Sequence, residues 1–187
     1  MFGVLKNSRA IAFTGVLTGL CLAIQLAPRP PNVEFTSLFT FTAGFLFGPF
    51  VGAFFGSFVM FVNGFFSPWG FAGPNMPFQM FGMGVIGAAG GLYRKYVQSP
   101  SPVEAAILGT ILTVLYDFVT NIGMTVFYVA IGMSPNLAFI TAIGYGAPFS
   151  LIHLFANGFV FGLAFYPLIK AVNHVLVVED YWLKKER

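Results

Sequence analysis

Gly44-Phe45-Leu46-Phe47-Gly48-Pro49-Phe50-Val51-Gly52-Ala53-Phe54-Phe55-Gly56 is the stretch that decides how this chain is read. Glycines recur every four residues, phenylalanines fill the gaps and a proline sits in the middle. On a helix the repeat lines up as a smooth strip, which lets another helix approach closely in lipid, where water supplies no push. A proline inside an unbroken helix removes a hydrogen bond and clashes with the preceding turn. Residues 35 to 66 are therefore either one kinked span or two short spans joined at Gly48-Pro49.

Composition sets the frame. Of 187 residues, 57% are hydrophobic and 8% charged, and the mean hydropathy is +0.83. A soluble domain carries about a quarter charged residues, so this chain lacks the polar surface to coat itself in water. It reads as an integral membrane protein of one domain, residues 1–187. The net charge of +3 is no nucleic-acid footprint, because the basic residues sit at span ends and tails. The single cysteine, Cys21, excludes an internal disulfide and a cysteine metal cluster.

Working outward, the apolar run 10–27 follows Lys6 and Arg9 and is long enough to cross a bilayer. A signal peptide begins similarly, but Gln25 stands where a small residue is wanted and Pro28 follows, so a retained first span is expected. Later spans are predicted at 35–47, 50–66, 78–93, 105–131 and 148–169. Between them lie Pro28-Arg29-Pro30-Pro31-Asn32, the uncharged loop Ser67–Pro77, the connector Gln98–Pro102 and the turn Gly132–Asn136. Glu104 suits the positive end of its helix. Residues 137–147 read either as a short interfacial helix or as the approach to the last span.

Positive charge decides the opening question. With a turn at Gly48-Pro49, Lys6, Arg9, Arg94, Lys95, Lys170, Lys184, Lys185 and Arg187 lie on the inner side and only Arg29 lies outside. One kinked span would abolish that asymmetry. The expected fold is an all-α integral membrane protein, a six-transmembrane-helix bundle in the cell membrane with both termini cytoplasmic (N-in/C-in).

Asp117 lies mid-span, where a carboxylate costs about 2.5–3.5 kcal/mol. Asn121 and Thr113 sit one turn to either side of it, and His153 and Asn157 repeat the four-residue spacing on the last span. Polar stripes turn inward in a membrane bundle. These residues either satisfy one another as helix–helix glue or line a ligand pocket opening outward. The uncharged outer loops favour the pocket: Trp69, Asn75 and Tyr145, with Gln79 at the same depth, suit a flat hydrogen-bonding solute. Taken singly, Trp69 and Tyr145 read better as interfacial belt residues. Glu34 and Arg29 are expected to pair at the surface.

Enzyme chemistry finds no support. There is no Gly-x-x-x-x-Gly-Lys-Ser/Thr loop and no His-Glu-x-x-His, and His153 and His174 fall at separate depths. No cofactor, metal or nucleic acid is implied, and the chain is expected not to be an enzyme. An ion-coupled secondary transporter or small channel using Asp117 is the alternative. No internal repeat speaks for it.

The six-span plan, Gly15-Val16-Leu17-Thr18-Gly19, the phrase Phe47 to Gly56 and Met83-Gly84-Val85-Ile86-Gly87-Ala88-Ala89-Gly90-Gly91 together resemble the substrate-binding (S) component of energy-coupling factor (ECF) vitamin transporters. Family members often carry alanine where Gly15 and Gly19 stand. The resemblance implies a subunit that binds a vitamin or precursor from outside and docks on a transmembrane coupling subunit driven by two ATPase subunits. Docking would use the small-residue faces at Gly15, Gly19, Gly52 and Gly56. Asn32-Val33-Glu34 and the segments around Pro68-Trp69 and Pro77 to Phe81 look like members assigned to cobalamin or its precursors.

Overall fold

A computed structural model describes residues 8–97 and 100–176. Lys6 and the tail residues Lys184, Lys185 and Arg187, half of the basic residues expected on the inner side, lie outside it, as do Gln98 of the connector and the side chains of Arg9 and His174. Six helices follow in order: α1 (Ser8–Leu26), α2 (Thr36–Phe47), α3 (Pro49–Phe66), α4 (Met76–Tyr93), α5 (Pro102–Ala130) and α6 (Pro135–Leu176), with a short 3-10 turn at Gly73–Asn75. Among the described residues there is no strand.

The opening stretch is two helices. Gly48 takes φ 99°, a conformation that L side chains rarely adopt, and its N–H closes α2 on the Gly44 carbonyl at 2.8 Å. Pro49 then occupies the first turn of α3, where a missing N–H costs nothing. Gly91 of α4 lies under this corner, where a methyl group would overlap the Pro49 backbone.

The glycine ladder turns inward. A side-chain carbon at Gly44, Gly52 or Gly87 would overlap the backbone of another of the three, and one at Gly56 would meet Thr40 and the Met83 carbonyl. Gly52 and Gly56 are buried. They close the α2–α3–α4 seam and are not a face for a partner, contrary to the docking expected of them. At Gly15 and Gly19 nothing lies within 4 Å of an added carbon, so that part of α1 stays open.

All twelve residues of α2 are buried, and it touches each of the other five helices. Its Phe41 and Phe45 pack edge-on against Phe165 at 5.1 and 5.4 Å, with Phe161 and Tyr93 completing the cluster. The outside is apolar as well: Phe54, Ile111, Phe155 and Phe159 are among many large exposed hydrophobic side chains. A water-facing surface rarely carries such a contiguous apolar expanse.

Among the described residues three helices meet the length and hydropathy needed to cross a membrane: α3, α5 and residues 135–172 of α6. α1 (Ala10–Leu26) and α2 are apolar but shorter. Residues 137–147, which the sequence leaves open between an interfacial helix and the approach to the last span, are helical and continuous with the predicted 148–169 segment, so the helix begins at Pro135 and not at Pro148. The 42-residue helix runs about 63 Å at 1.5 Å per residue, through Pro148 and Pro167. Proline reads as a start because it suits a first turn, yet membrane helices also tolerate it internally. α5 begins with a capping box in which Ser101 and Glu104 each bond the other's backbone N–H.

Candidate functional site

The end of the bundle opposite the Gly48 corner holds a cavity of about 600 Å³. The end of α1 and its following loop contribute Gln25, Arg29, Asn32 and Glu34. α3 gives Met60 and Asn63, and the α3–α4 loop gives Trp69 and Phe71. Asn75, Gln79 and Met83 come from the start of α4, Tyr116, Asp117 and Met124 from α5, and Phe149 and His153 from α6.

A buried polar network lies against this cavity. His153 places Nδ1 at 2.7 Å from Asp117 Oδ1 and Nε2 at 3.3 Å from Glu34 Oε1. An imidazole protonated at both nitrogens would donate to both carboxylates at once. Asn157 Nδ2 donates to the same Glu34 oxygen and to Thr113 Oγ1, each at 2.9 Å. The Ser37 N–H donates to Glu34 Oε2 at 2.9 Å. One carboxylate thus ties the loop before α2 to α6, and the histidine carries the tie on to α5. Tyr116 stands edge-on to the His153 ring at 5.8 Å.

Glu34 is not a surface residue. It is 6% exposed and bonded to α6, while Arg29 donates to the Gln25 carbonyl at 2.8 Å. The expected Glu34–Arg29 surface pair is corrected accordingly. Burial alone would raise the Glu34 pKa, but the bonds and charge of His153 and the bonds from Ser37 and Asn157 outweigh it and hold the pKa down at about 2. Burial lowers the pKa of the Arg29 guanidinium.

A second buried tie joins α1, α2 and α3. Gln25 donates to Asn63 Oδ1 at 3.1 Å and accepts from Thr36 Oγ1 at 2.7 Å. Lone neutral amides near the ends of apolar helices are a weaker signal than the mid-span Asp117 with its four-residue polar stripe, and no local rule pairs Gln25 with Asn63.

Of the residues expected at a ligand site, the structure brings Asp117, His153, Asn75, Gln79 and Trp69 to the cavity wall. Asn157 is fully buried and acts by holding Glu34. Asn121 lies one turn beyond Asp117, packed over Gly146 of α6, and is not part of the wall. Tyr145 is 73% exposed and lies outside the cavity, because α6 is already helical there and carries it onto the outer face.

A family model described as "ECF transporter, substrate-specific component" matches residues 9–165, most of the chain. The chain belongs to that family. Its place in a membrane and in substrate transport follows from the membership, and the apolar helices agree with it. Neither the curated proteins nor the solved structures compared with this substrate-specific component gave a match.

Proposed function

We propose that this substrate-specific component is a high-affinity, membrane-embedded binding subunit, not an enzyme, that takes up a water-soluble vitamin or vitamin precursor. The observation that carries the reading is the cavity itself. Its volume falls within the roughly 300–1,000 Å³ of small-molecule sites, and its wall combines ring faces, thioethers, neutral amides and one built ionic network. A compact solute fits such a space, whereas an intact corrinoid would have to protrude past Trp69 and Phe71, so within the cobalamin reading a smaller precursor is favoured.

All six helices cross the membrane, with both termini cytoplasmic and the cavity facing outward. The basic residues support this topology, since Arg29 alone would lie on the outer side. The short α2 is buried on every side and needs no lipid contact along its length. The open strip at Gly15 and Gly19 borders an apolar groove between α1 and α3, lined by Thr14, Phe54 and Phe58 among others. That groove is where a transmembrane coupling subunit, driven by two ATPase subunits, would dock.

Equilibrium dialysis of the purified chain against labelled vitamins and precursors, without nucleotide, tests the reading. Saturable binding of one compound at micromolar concentration or below is expected. Absence of binding across the panel contradicts it.

A further inference from the structure

Once the network around His153 is complete, four buried polar atoms of cavity-wall residues remain without a partner: Asn75 Oδ1, Gln79 Oε1, Asp117 Oδ2 and Arg29 Nε. Glu34 has both oxygens engaged, by Ser37 on one and by Asn157 and His153 on the other. Asp117 has only Oδ1 engaged, and its Oδ2 is buried without a hydrogen-bond partner. Arg29 gives one terminal nitrogen to the Gln25 carbonyl, while its Nε is likewise buried and unpartnered. Buried polar atoms in a folded protein are almost always satisfied, and each exception calls for a cause.

The two charged exceptions complement each other. Asp117 lacks a donor, Arg29 lacks an acceptor, and both residues line the same space. A small rotation of the Asp117 carboxylate, whose terminal torsion is broad, would present its spare oxygen while the other stays on His153. His153 cannot receive an acid from the ligand, because both its nitrogens already face carboxylates. Among the described wall residues that leaves Arg29 as the cation for an anionic group, and a guanidinium suits carboxylate or phosphate geometry. Its half-buried position makes a compensating anion more favourable still.

Resting on the reading of this cavity as the substrate site, we propose that the solute is two-ended: an N–H donor group, ammonium or amidine-like, received by Asp117, and an acidic group received by Arg29. Ring faces such as Tyr116 and Phe149 would hold a flat nitrogen heterocycle carrying both.

Probes matched to differ at one end test this on the purified full chain: thiamin against thiamin monophosphate, and pterin against pterin-6-carboxylate. Nicotinate serves as an acid without an N–H donor and cobinamide as an amide-rich compound without an acid. The tightest binder is expected to be two-ended and to exceed its one-ended counterpart about tenfold or more. Arg29→Gln should bring the pair to within about twofold, and Asp117→Asn should weaken both members about tenfold. The melting temperature of each unliganded variant checks folding; should Asp117→Asn not fold, the change on the loop at Arg29 decides alone. A one-ended compound binding tightest, or a pair ratio unchanged by Arg29→Gln, overturns the ligand class and leaves the cavity as the substrate site. Binding of no probe overturns the ligand class together with the reading beneath it.

Discussion

Asn157 Nδ2 lies 2.9 Å from Glu34 Oε1, across 123 positions of sequence. The contact joins the loop before α2 to the middle of α6, and His153 extends it to Asp117 on α5. The loop that carries Glu34 also supplies Arg29 and Asn32 to the cavity wall, so the shape of the site depends on a buried ionic tie.

Removing one member of a buried pair leaves an uncompensated charge, at a cost of about 3–5 kcal/mol. His153→Ala should therefore lower the melting temperature of the detergent-solubilised protein far more than Asn121→Ala, whose side chain takes no part in the network. Equal effects would show that the network adds nothing to the fold.

Acid should loosen the same tie. Glu34 has its pKa lowered from 4.5 to about 2, so its contribution to stability is complete above pH 4.5 and is lost as pH falls from there toward 2. Melting temperatures measured across that window should fall more steeply for the unaltered chain than for Glu34→Gln. Parallel curves would show that the Glu34 carboxylate is not held by the folded state.

Glycines of similar appearance in the sequence should behave differently. Gly87→Ala forces a methyl into the Gly52 backbone, and overpacking of this kind costs about 1–3 kcal/mol or more. Gly15→Ala meets nothing within 4 Å and should leave the melting temperature within about a degree. Gly15→Leu should also fold, yet fail to co-purify with a coupling subunit. Loss of folding at Gly15, or tolerance at Gly87, contradicts the division between packing and docking glycines.

These residues also show what the sequence could reveal. The turn at Gly48-Pro49 followed from the distribution of basic residues along the whole chain, and the short helices on either side of it and the inward turn of Asp117 and His153 from local rules about proline, four-residue spacing and the cost of charge in lipid. Glu34 was missed because Arg29 lies five residues away and offered a cheap surface partner, whereas its real partners come from α6. Nothing local separates the glycines of an internal seam from those of an exposed strip; only the packing of α4 onto α2 and α3 does. The start of α6 stayed open because a proline such as Pro148 suits a first turn, and the helix runs through it.

Topology can be read by chemical labelling. Trp69 and Tyr96 are both well exposed, at 60% and 85%, and lie at opposite ends of α3 and α4. A membrane-impermeant maleimide should label Trp69→Cys in intact cells and Tyr96→Cys only after permeabilisation. Cys21 is buried and should stay silent. Labelling of both from one side would contradict the six-span arrangement.

The central claim, that the cavity is the substrate site, is tested most directly through Trp69. The chain has two tryptophans, Trp69 in the cavity wall and Trp182 in the C-terminal tail. In a Trp182→Phe variant all tryptophan emission comes from the cavity. Titration with the vitamin or precursor that dialysis identifies should change that emission saturably, with the same dissociation constant as dialysis gives. An emission unchanged at ligand concentrations that saturate the protein would place the substrate elsewhere and contradict the account.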